Sequence, residues 1–190
     1  MAQDELQQLV QRASQGDAEA FGKLYDVHLD AIYRYVYFKV ASHAEAEDLT
    51  SQVFLKAWEA MPRYQLREIP FSHWLMRLAH NVVVDHYRTT RARVELDEKL
   101  MSTEPDPQDD YIRGERARSL EAAIRRLPDQ QRAVIVLRFI ENMDYAQVAA
   151  ILGKSQGALR VIQHRALAAL RQILAQEDKE AIERNRASLS

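Results

Sequence analysis

Apolar residues along most of this chain recur every three or four positions, the spacing of helices that bury one face. The pattern predicts a first helix from about residue 17, with Asp17 as its N-cap. The apolar face of this helix begins with Phe21, Leu24 and Tyr25. The pattern leaves open whether the helix continues through Ile32 or breaks before it.

The next helices of the N-terminal block have clear boundaries. Ser42 and Glu45 have the spacing of a capping box, which predicts a helix over residues 43–60. Its inward face would consist of Ala46, Leu49, Val53 and Ala57. Two prolines then bracket a loop at residues 63–69, and a long helix is predicted over residues 71–91. The apolar residues of that long helix are Trp74, Leu75, Leu78, Val82 and Tyr87.

An acidic stretch at residues 102–110 contains two prolines and no large apolar residue, so it cannot form a core element. The chain is therefore predicted to be all-α with two small helical domains. These are an N-terminal helical bundle over residues 1–95 and a C-terminal four-helix domain over residues 113–174. A flexible acidic linker over residues 96–112 joins them. The role of the tail, residues 175–190, is not decided by the sequence.

The C-terminal block contains the pattern of a helix-turn-helix. The helices before it are predicted over residues 113–127 and 129–140. Asp144 and Gln147 form a second capping box, and Gly153 stands where a short helix would end. Ser155 then caps a longer basic helix. The buried face of that helix would consist of Leu159, Ile162, Ala166 and Leu170. A short helix, a glycine turn and a basic helix together make a helix-turn-helix.

Composition and charge narrow the classes of function. With 47% hydrophobic residues among 190, the chain can bury cores, and without cysteine it has no disulfide or thiol chemistry. The net charge of −2 is unusual for a nucleic-acid-binding protein. The charge is segregated, however: residues 145–176 contain four basic residues and no acid, whereas residues 96–118 contain seven acids and four bases. Residues 71–93 likewise contain four arginines and one acid, so two basic stretches exist on a chain that is acidic overall.

The basic helix of the helix-turn-helix carries side chains suited to DNA. Those that project away from its buried face are Gln156, Arg160, Gln163 and His164. Arginine pairs with guanine and glutamine with adenine in the major groove. Lys154 and the backbone amides near Ser155 are placed for phosphate groups. The alternative is the solvated face of a helical hairpin, and the absence of acids favours DNA.

The helix over residues 71–91 interleaves aromatic residues with arginine, which suits single-stranded DNA. The alternative is an amphipathic core helix in which Trp74 and Leu78 are buried. Both can hold on opposite faces, so we predict Trp74 mostly in the core and Arg77, Asn81 and Arg88 on the surface. A metal site built on His80, Asp85 and His86 is disfavoured, because these two histidines are six positions apart and do not share a helix face. We expect no metal, no cofactor and no catalytic residue, and the chain is not expected to be an enzyme.

Phe54 and Trp58 raise a separate question about the helix over residues 43–60. They cannot both be internal if Leu49, Val53 and Ala57 already form the buried stripe. An exposed aromatic ridge would indicate a protein-binding surface. The alternative, a helix buried on two sides within its own bundle, is equally open.

Three stretches in order, residues 47–58, 74–88 and 127–167, resemble the extracytoplasmic-function (ECF) class of bacterial sigma factors. The first is similar to the family segment that docks on the clamp helices of the polymerase β′ subunit. The second is similar to the segment that melts and reads the −10 element, and the third to the domain that reads the −35 element. The family usually has Gln-Glu where this chain has Ser51 and Gln52, so one carboxylate is absent from the first stretch.

The resemblance implies a role for each matching position. The residues facing core polymerase would be Asp48, Gln52, Phe54 and Trp58. Those against −10 DNA would be Arg77, Asn81, Asp85 and Arg88, with residues 63–69 holding a base flipped from the non-template strand. Those contacting the −35 element would be Lys154, Ser155, Gln156, Arg160, Gln163 and His164.

The resemblance also implies partners. These are core RNA polymerase, promoter DNA in duplex and single-stranded form, and an anti-sigma factor that restrains the protein. An acidic N-terminus and short apolar runs predict a cytoplasmic protein without membrane insertion. The alternative function is a free-standing helix-turn-helix repressor or activator.

Overall fold

A computed structural model describes residues 3–40, 42–64, 69–94 and 115–187, and every regular element in these ranges is a helix. Four helices precede residue 95: α1 (Gln3–Ser14), α2 (Ala18–Lys39), α3 (His43–Ala60) and α4 (Phe71–Val94). Four follow residue 114: α5 (Glu115–Arg125), α6 (Asp129–Ile135), α7 (Tyr145–Leu152) and α8 (Gln156–Ala187). They form two compact units, one built on α1–α4 and the other on α5, α6 and α8. The predicted all-α class is confirmed.

Helix α1 was not predicted by the sequence pattern. Its buried side chains are Leu9, Val10 and Ala13, and most other residues of the helix are polar. A turn through Gly16, which has a φ of +90°, reverses the chain into α2. Because glycine has no Cβ, it adopts this left-handed conformation without strain.

Asp17 caps α2 as the sequence predicts. Its carboxylate accepts the backbone N–H of Ala20 at 3.0 Å and the Nε–H of Arg12 at 2.7 Å. The Ala20 amide, followed by the Arg12 guanidinium, lowers the pKa of Asp17 below its ordinary value. Helix α2 then continues through Ile32 without a break.

Helices α2, α3 and α4 bury one continuous apolar core in the N-terminal unit. The predicted inward face of α3 is buried throughout. The core residues of these three helices include Leu24, Ile32, Tyr35, Val36, Ala46, Leu49, Val53, Phe54, Ala57, Leu75, Met76, Ala79, Val82 and Val83. Burial of this much apolar surface is the dominant stabilising contribution.

The start of α3 gives a direct test of its capping residue. Ser42 Oγ accepts the backbone N–H of Glu45 at 3.2 Å. Replacing Ser42 with alanine leaves that amide without its side-chain acceptor, so we expect a loss of about 1 kcal/mol in the free energy of unfolding. Urea unfolding followed by tryptophan fluorescence measures this unit selectively, because both tryptophans, Trp58 and Trp74, lie in it. Ser42→Asp keeps an acceptor and should unfold near the wild-type midpoint; equal midpoints for all three proteins would contradict the prediction.

The predicted helix over residues 129–140 differs from the observed chain path. Helix α6 ends at Ile135 and passes into one π-helical turn, Val136–Ile140. The N–H of Glu141 bonds to the carbonyl of Val136 at 2.9 Å, and Asn142 follows with a positive φ of 52°. This wider turn ends the helix and redirects the chain toward α7.

The helix-turn-helix pattern is confirmed in its local geometry. Asp144 and Gln147 exchange two hydrogen bonds, of 2.9 and 2.7 Å, as a capping box does. Gly153 has a φ of +63°, and the next N–H bonds back to the carbonyl of Ala149 at 3.2 Å. Ser155 Oγ then accepts a hydrogen bond from the backbone N–H of the third residue of α8, at 3.2 Å. Polar caps therefore define both ends of the turn.

Helix α8 continues beyond the predicted domain end at residue 174 and includes most of the tail. Glu177 accepts a hydrogen bond from Ser119 Oγ at 2.8 Å and pairs with Arg126 Nη1 at 3.2 Å. These contacts hold the first turn of the tail against α5.

Candidate nucleic-acid and polymerase interfaces

The outward face of α8 presents the side chains that the sequence predicted for DNA. Gln156, Arg160 and His164 are exposed, and Gln163 is half-buried. Before the helix, Ser155 is exposed and Lys154 is half-buried. The opposite face is buried at Leu159, Ala166 and Leu170, whereas Ile162 is only half-buried. This face therefore presents exposed polar and basic side chains on a helix whose other side is packed.

Tyr145, the first residue of α7, organises part of this face. Its hydroxyl donates a hydrogen bond to Gln163 Oε1 at 2.9 Å. The guanidinium carbons of Arg138 and Arg160 lie over its ring, 4.3 and 4.9 Å from the ring centroid. Sequence reasoning missed Tyr145, because a tyrosine at the start of a short helix carries no signal of a partner 18 positions away.

The outward face of α4 is a polar stripe that also includes one exposed apolar side chain, Val84. Arg77, Asn81, Asp85 and Arg88 are all exposed, and their spacing of four, four and three residues puts them on one side of the helix. Arg88 Nη2 pairs with Asp85 Oδ1 at 3.2 Å. The other side of α4 is buried in the core, as an amphipathic core helix requires, and the exposed side remains a candidate surface for single-stranded DNA.

Trp74 lies at the foot of α4 and is half-buried in an aromatic cluster. The ring of Tyr64 lies 4.9 Å from Trp74, and that of Phe71 lies 5.5 Å from it. Burial raises the pKa of Tyr64, whose hydroxyl donates to the carbonyl of Ile69. The two ends of the 63–69 loop are thus joined by a hydrogen bond. Residues 63–69 were expected to hold a flipped base, and residues 65–68 of that loop lie outside the described residues.

The outward face of α3 differs from the predicted aromatic ridge. Asp48 and Gln52 are exposed as expected, but Phe54 is only 4% exposed and its ring lies 4.5 Å from that of Tyr25. Trp58 is half-buried, 5.0 Å from the ring of Phe21 on α2. Of the two alternatives left open for this helix, Phe54 therefore fits burial on two sides within the bundle and not an exposed ridge, because α2 covers this side of α3.

The apolar side chain that α3 does expose is Leu55, at 58%. It follows Asp48 by seven positions and Gln52 by three, so the three lie on one face. A leucine in a run of apolar residues reads as core, which is why the sequence pattern did not single it out.

The histidines of the N-terminal unit make contacts within the fold. His80 Nδ1 lies 2.9 Å from the Tyr35 hydroxyl, and His86 Nε2 lies 2.5 Å from Glu45 Oε1. Burial lowers the pKa of His28, whose ring packs against Phe71. In the part of the chain that the structure describes, no three His, Cys, Asp or Glu side chains are grouped so that they could hold a metal ion. None of the described helices combines the length and the apolar character needed to cross a membrane.

Comparisons with known proteins match both units. Sigma-70 region 2 matches residues 24–93, and Sigma-70, region 4 matches residues 123–172. The chain is 37% identical to the ECF RNA polymerase sigma factor BldN of Streptomyces coelicolor, over 89% of this chain and 66% of that protein. It is 30% identical to the ECF RNA polymerase sigma factor SigD of Mycobacterium tuberculosis, over 90% of this chain and 84% of that protein. Among solved structures, CnrH in complex with the cytosolic domain of CnrY is similar with a TM-score of 0.69 and 28% identity, covering 90% of this chain and 98% of that chain.

Proposed function

Because the chain belongs to the ECF RNA polymerase sigma factors, we propose that it binds core RNA polymerase and recognises the −35 and −10 elements of a promoter. It then helps to melt the −10 region and starts transcription, as an initiation factor rather than a catalytic enzyme. The observation that carries this proposal is the pair of exposed basic faces, one on α8 and one on α4, each on a helix whose other side is packed in a core.

The face of α8 is assigned to the −35 element. Arg160 and Gln163 would contact base edges in the major groove, with Gln156 and His164 beside them. Lys154 and Ser155, at the start of the helix, would contact phosphate groups. These contacts fix the register of the helix on the duplex.

The stripe on α4 is assigned to the −10 element. Arg77 and Arg88 would follow the phosphates, Asn81 would bond to a base, and Asp85 would orient Arg88 through their 3.2 Å ion pair. Flipping a base out of the duplex costs a few kcal/mol, so contacts to the extruded base must offset that cost.

The outward face of α3 is assigned to core polymerase through the β′ clamp helices. Asp48 and Gln52 would form the polar rim, and the exposed Leu55 would supply apolar contact. Trp58 contributes its half-exposed ring, whereas Phe54 supports this face from inside the core.

The overall charge favours DNA recognition together with polymerase rather than alone. The logarithm of the DNA-binding constant falls with the logarithm of the salt concentration, with a slope of roughly −0.9 for each phosphate that the protein neutralises. A free-standing repressor therefore needs many basic side chains. A chain of net charge −2 with two confined basic faces should bind duplex DNA weakly by itself. Polymerase would hold both faces at the promoter spacing, which makes the second contact effectively intramolecular.

A protein partner would restrain this activity in the cytoplasm. CnrH, which is similar to this chain, is solved with the cytosolic domain of CnrY. We propose that the partner of the present chain is an anti-sigma factor, as the resemblance to the ECF class implies. Since the chain has no cysteine, any thiol-based redox sensing would belong to the partner.

Run-off transcription tests the proposal. Bacterial core polymerase is supplied with a genomic fragment library, with and without this protein, and the transcripts are sequenced. We expect discrete transcripts that depend on the protein and share two upstream elements. No such transcripts from active core and folded protein would contradict the proposal, and tight binding to an operator without polymerase would then favour the helix-turn-helix repressor.

A further inference from the structure

Gln163 is the one predicted base-reading side chain of α8 that makes a defined hydrogen bond to another helix. Its Oε1 accepts the Tyr145 hydroxyl proton at 2.9 Å, and the side chain is half-buried. An amide that turns its oxygen toward the protein presents its NH₂ group outward. Gln163 therefore meets DNA as a hydrogen-bond donor.

This orientation changes which base Gln163 can read. The usual glutamine–adenine pair needs both amide atoms, because the oxygen accepts from adenine N6 while the nitrogen donates to N7. With the oxygen turned toward Tyr145, the NH₂ group is the part of the amide that faces the groove, so donation is favoured over the two-atom adenine pair. Guanine offers two acceptors, O6 and N7, on the same major-groove edge, whereas adenine offers one acceptor and one donor.

Tyr145 is itself held firmly enough to impose this orientation. It begins α7 inside a capping box formed by Asp144 and Gln147. The guanidinium of Arg138, which donates to the Met143 carbonyl, lies over its ring. Arg160 lies over the same ring, so one tyrosine contacts two side chains of the reading face.

We propose that Tyr145 is a positioning residue that makes Gln163 a donor, so that Gln163 selects guanine over adenine at one position of the −35 element. The proposal rests on the proposed function and names a determinant of its specificity. Removal of the hydroxyl frees the Gln163 oxygen, which restores the usual reading of adenine. The ring of Tyr145→Phe still supports Arg160, so recognition elsewhere in the element should be unchanged.

The test uses transcription by core polymerase with the full-length protein on a promoter library that is randomised over the −35 element. Gln163→Ala identifies the position that Gln163 reads, because base preference is lost there alone. At that position, Tyr145→Phe is expected to move the adenine-to-guanine ratio toward adenine by at least about fivefold. Tyr25→Phe, which removes a tyrosine hydroxyl from the N-terminal unit, is the control and should keep the wild-type profile.

The outcomes are separable. A wild-type protein that gives no promoter-dependent transcripts overturns the proposed function, and this inference with it. Wild-type transcription with an unchanged profile for Tyr145→Phe overturns the inference alone. A shift of Tyr145→Phe toward guanine also overturns the inference. The same holds if Gln163→Ala leaves the base preference unchanged at every position. Equal thermal melting of the variants excludes a loss of folding as the cause of a shift.

Discussion

Replacement of Arg160 by alanine is expected to lower transcription from the cognate promoter by about 10- to 100-fold, while binding to core polymerase stays at the wild-type level. The guanidinium is exposed on α8, and the ring of Tyr145 supports it at 4.9 Å. A bidentate arginine–guanine pair contributes about 1–3 kcal/mol of discrimination, out of the about 4–10 kcal/mol that separates specific from non-specific DNA binding. The loss should therefore depend on the −35 sequence.

Two measurements check this result. Run-off transcription with the variant gives the fall in activity, and a pull-down of core polymerase gives its binding. Arg171→Ala is the matched control, because Arg171 is an exposed arginine on the same helix, three turns further along. An Arg160→Ala protein with a normal response to −35 mutations would contradict the assignment of α8 as the recognition helix.

Much of the fold could be predicted because its boundaries depend on local interactions. Asp17, Ser42 and Ser155 each accept a backbone N–H near the start of a helix, as their positions in the sequence indicate. Capping bonds join residues two or three positions apart, so they can be read without knowledge of the tertiary structure. For the same reason, the bounds predicted for α3 agree with those observed.

The features that the sequence pattern missed depend on contacts between distant residues. Helix α1 is an exception: it is short and mostly polar, but Leu6, Leu9, Val10 and Ala13 stand at helical spacing, so its pattern was present in the sequence. Phe54 and Leu55 are adjacent apolar residues of α3, and only the position of α2 decides which of them is buried. Tyr145 acquires its role from residues of α8 that no local pattern connects to it. Candidate faces could therefore be predicted, but not the side chains that support them.

The pair Phe54 and Leu55 separates folding from polymerase binding within one turn of α3. Phe54→Ala is expected to lower the free energy of unfolding of the N-terminal unit by about 3–5 kcal/mol, because it removes a buried ring and leaves a cavity. Loss of the contact with Tyr25, whose ring lies 4.5 Å away, adds to this cost. A domain has only about 5–15 kcal/mol of stability, so the variant should be partly unfolded at 37 °C.

Leu55→Ala should leave the stability nearly unchanged and weaken the binding to core polymerase. Because the side chain is 58% exposed, its removal should change the free energy of unfolding by no more than about 0.5 kcal/mol. If this leucine is buried against core polymerase, its truncation costs about 1.5 kcal/mol of binding, which is roughly a tenfold loss of affinity. Val27→Ala is the control, since Val27 is also exposed but lies on α2.

Urea unfolding followed by tryptophan fluorescence, and titration of labelled protein against core polymerase at 15 °C, distinguish the two effects. At that temperature the folded fraction of Phe54→Ala should retain nearly wild-type affinity, whereas Leu55→Ala should bind about tenfold more weakly despite full folding. Wild-type affinity of Leu55→Ala for core polymerase would contradict the assignment of the outward face of α3 to the polymerase interface. Wild-type stability for Phe54→Ala would contradict its place in the core. Because the two residues are adjacent in the chain and differ mainly in burial, a result in which each variant fails in its own assay would assign the two roles to two different sides of one helix.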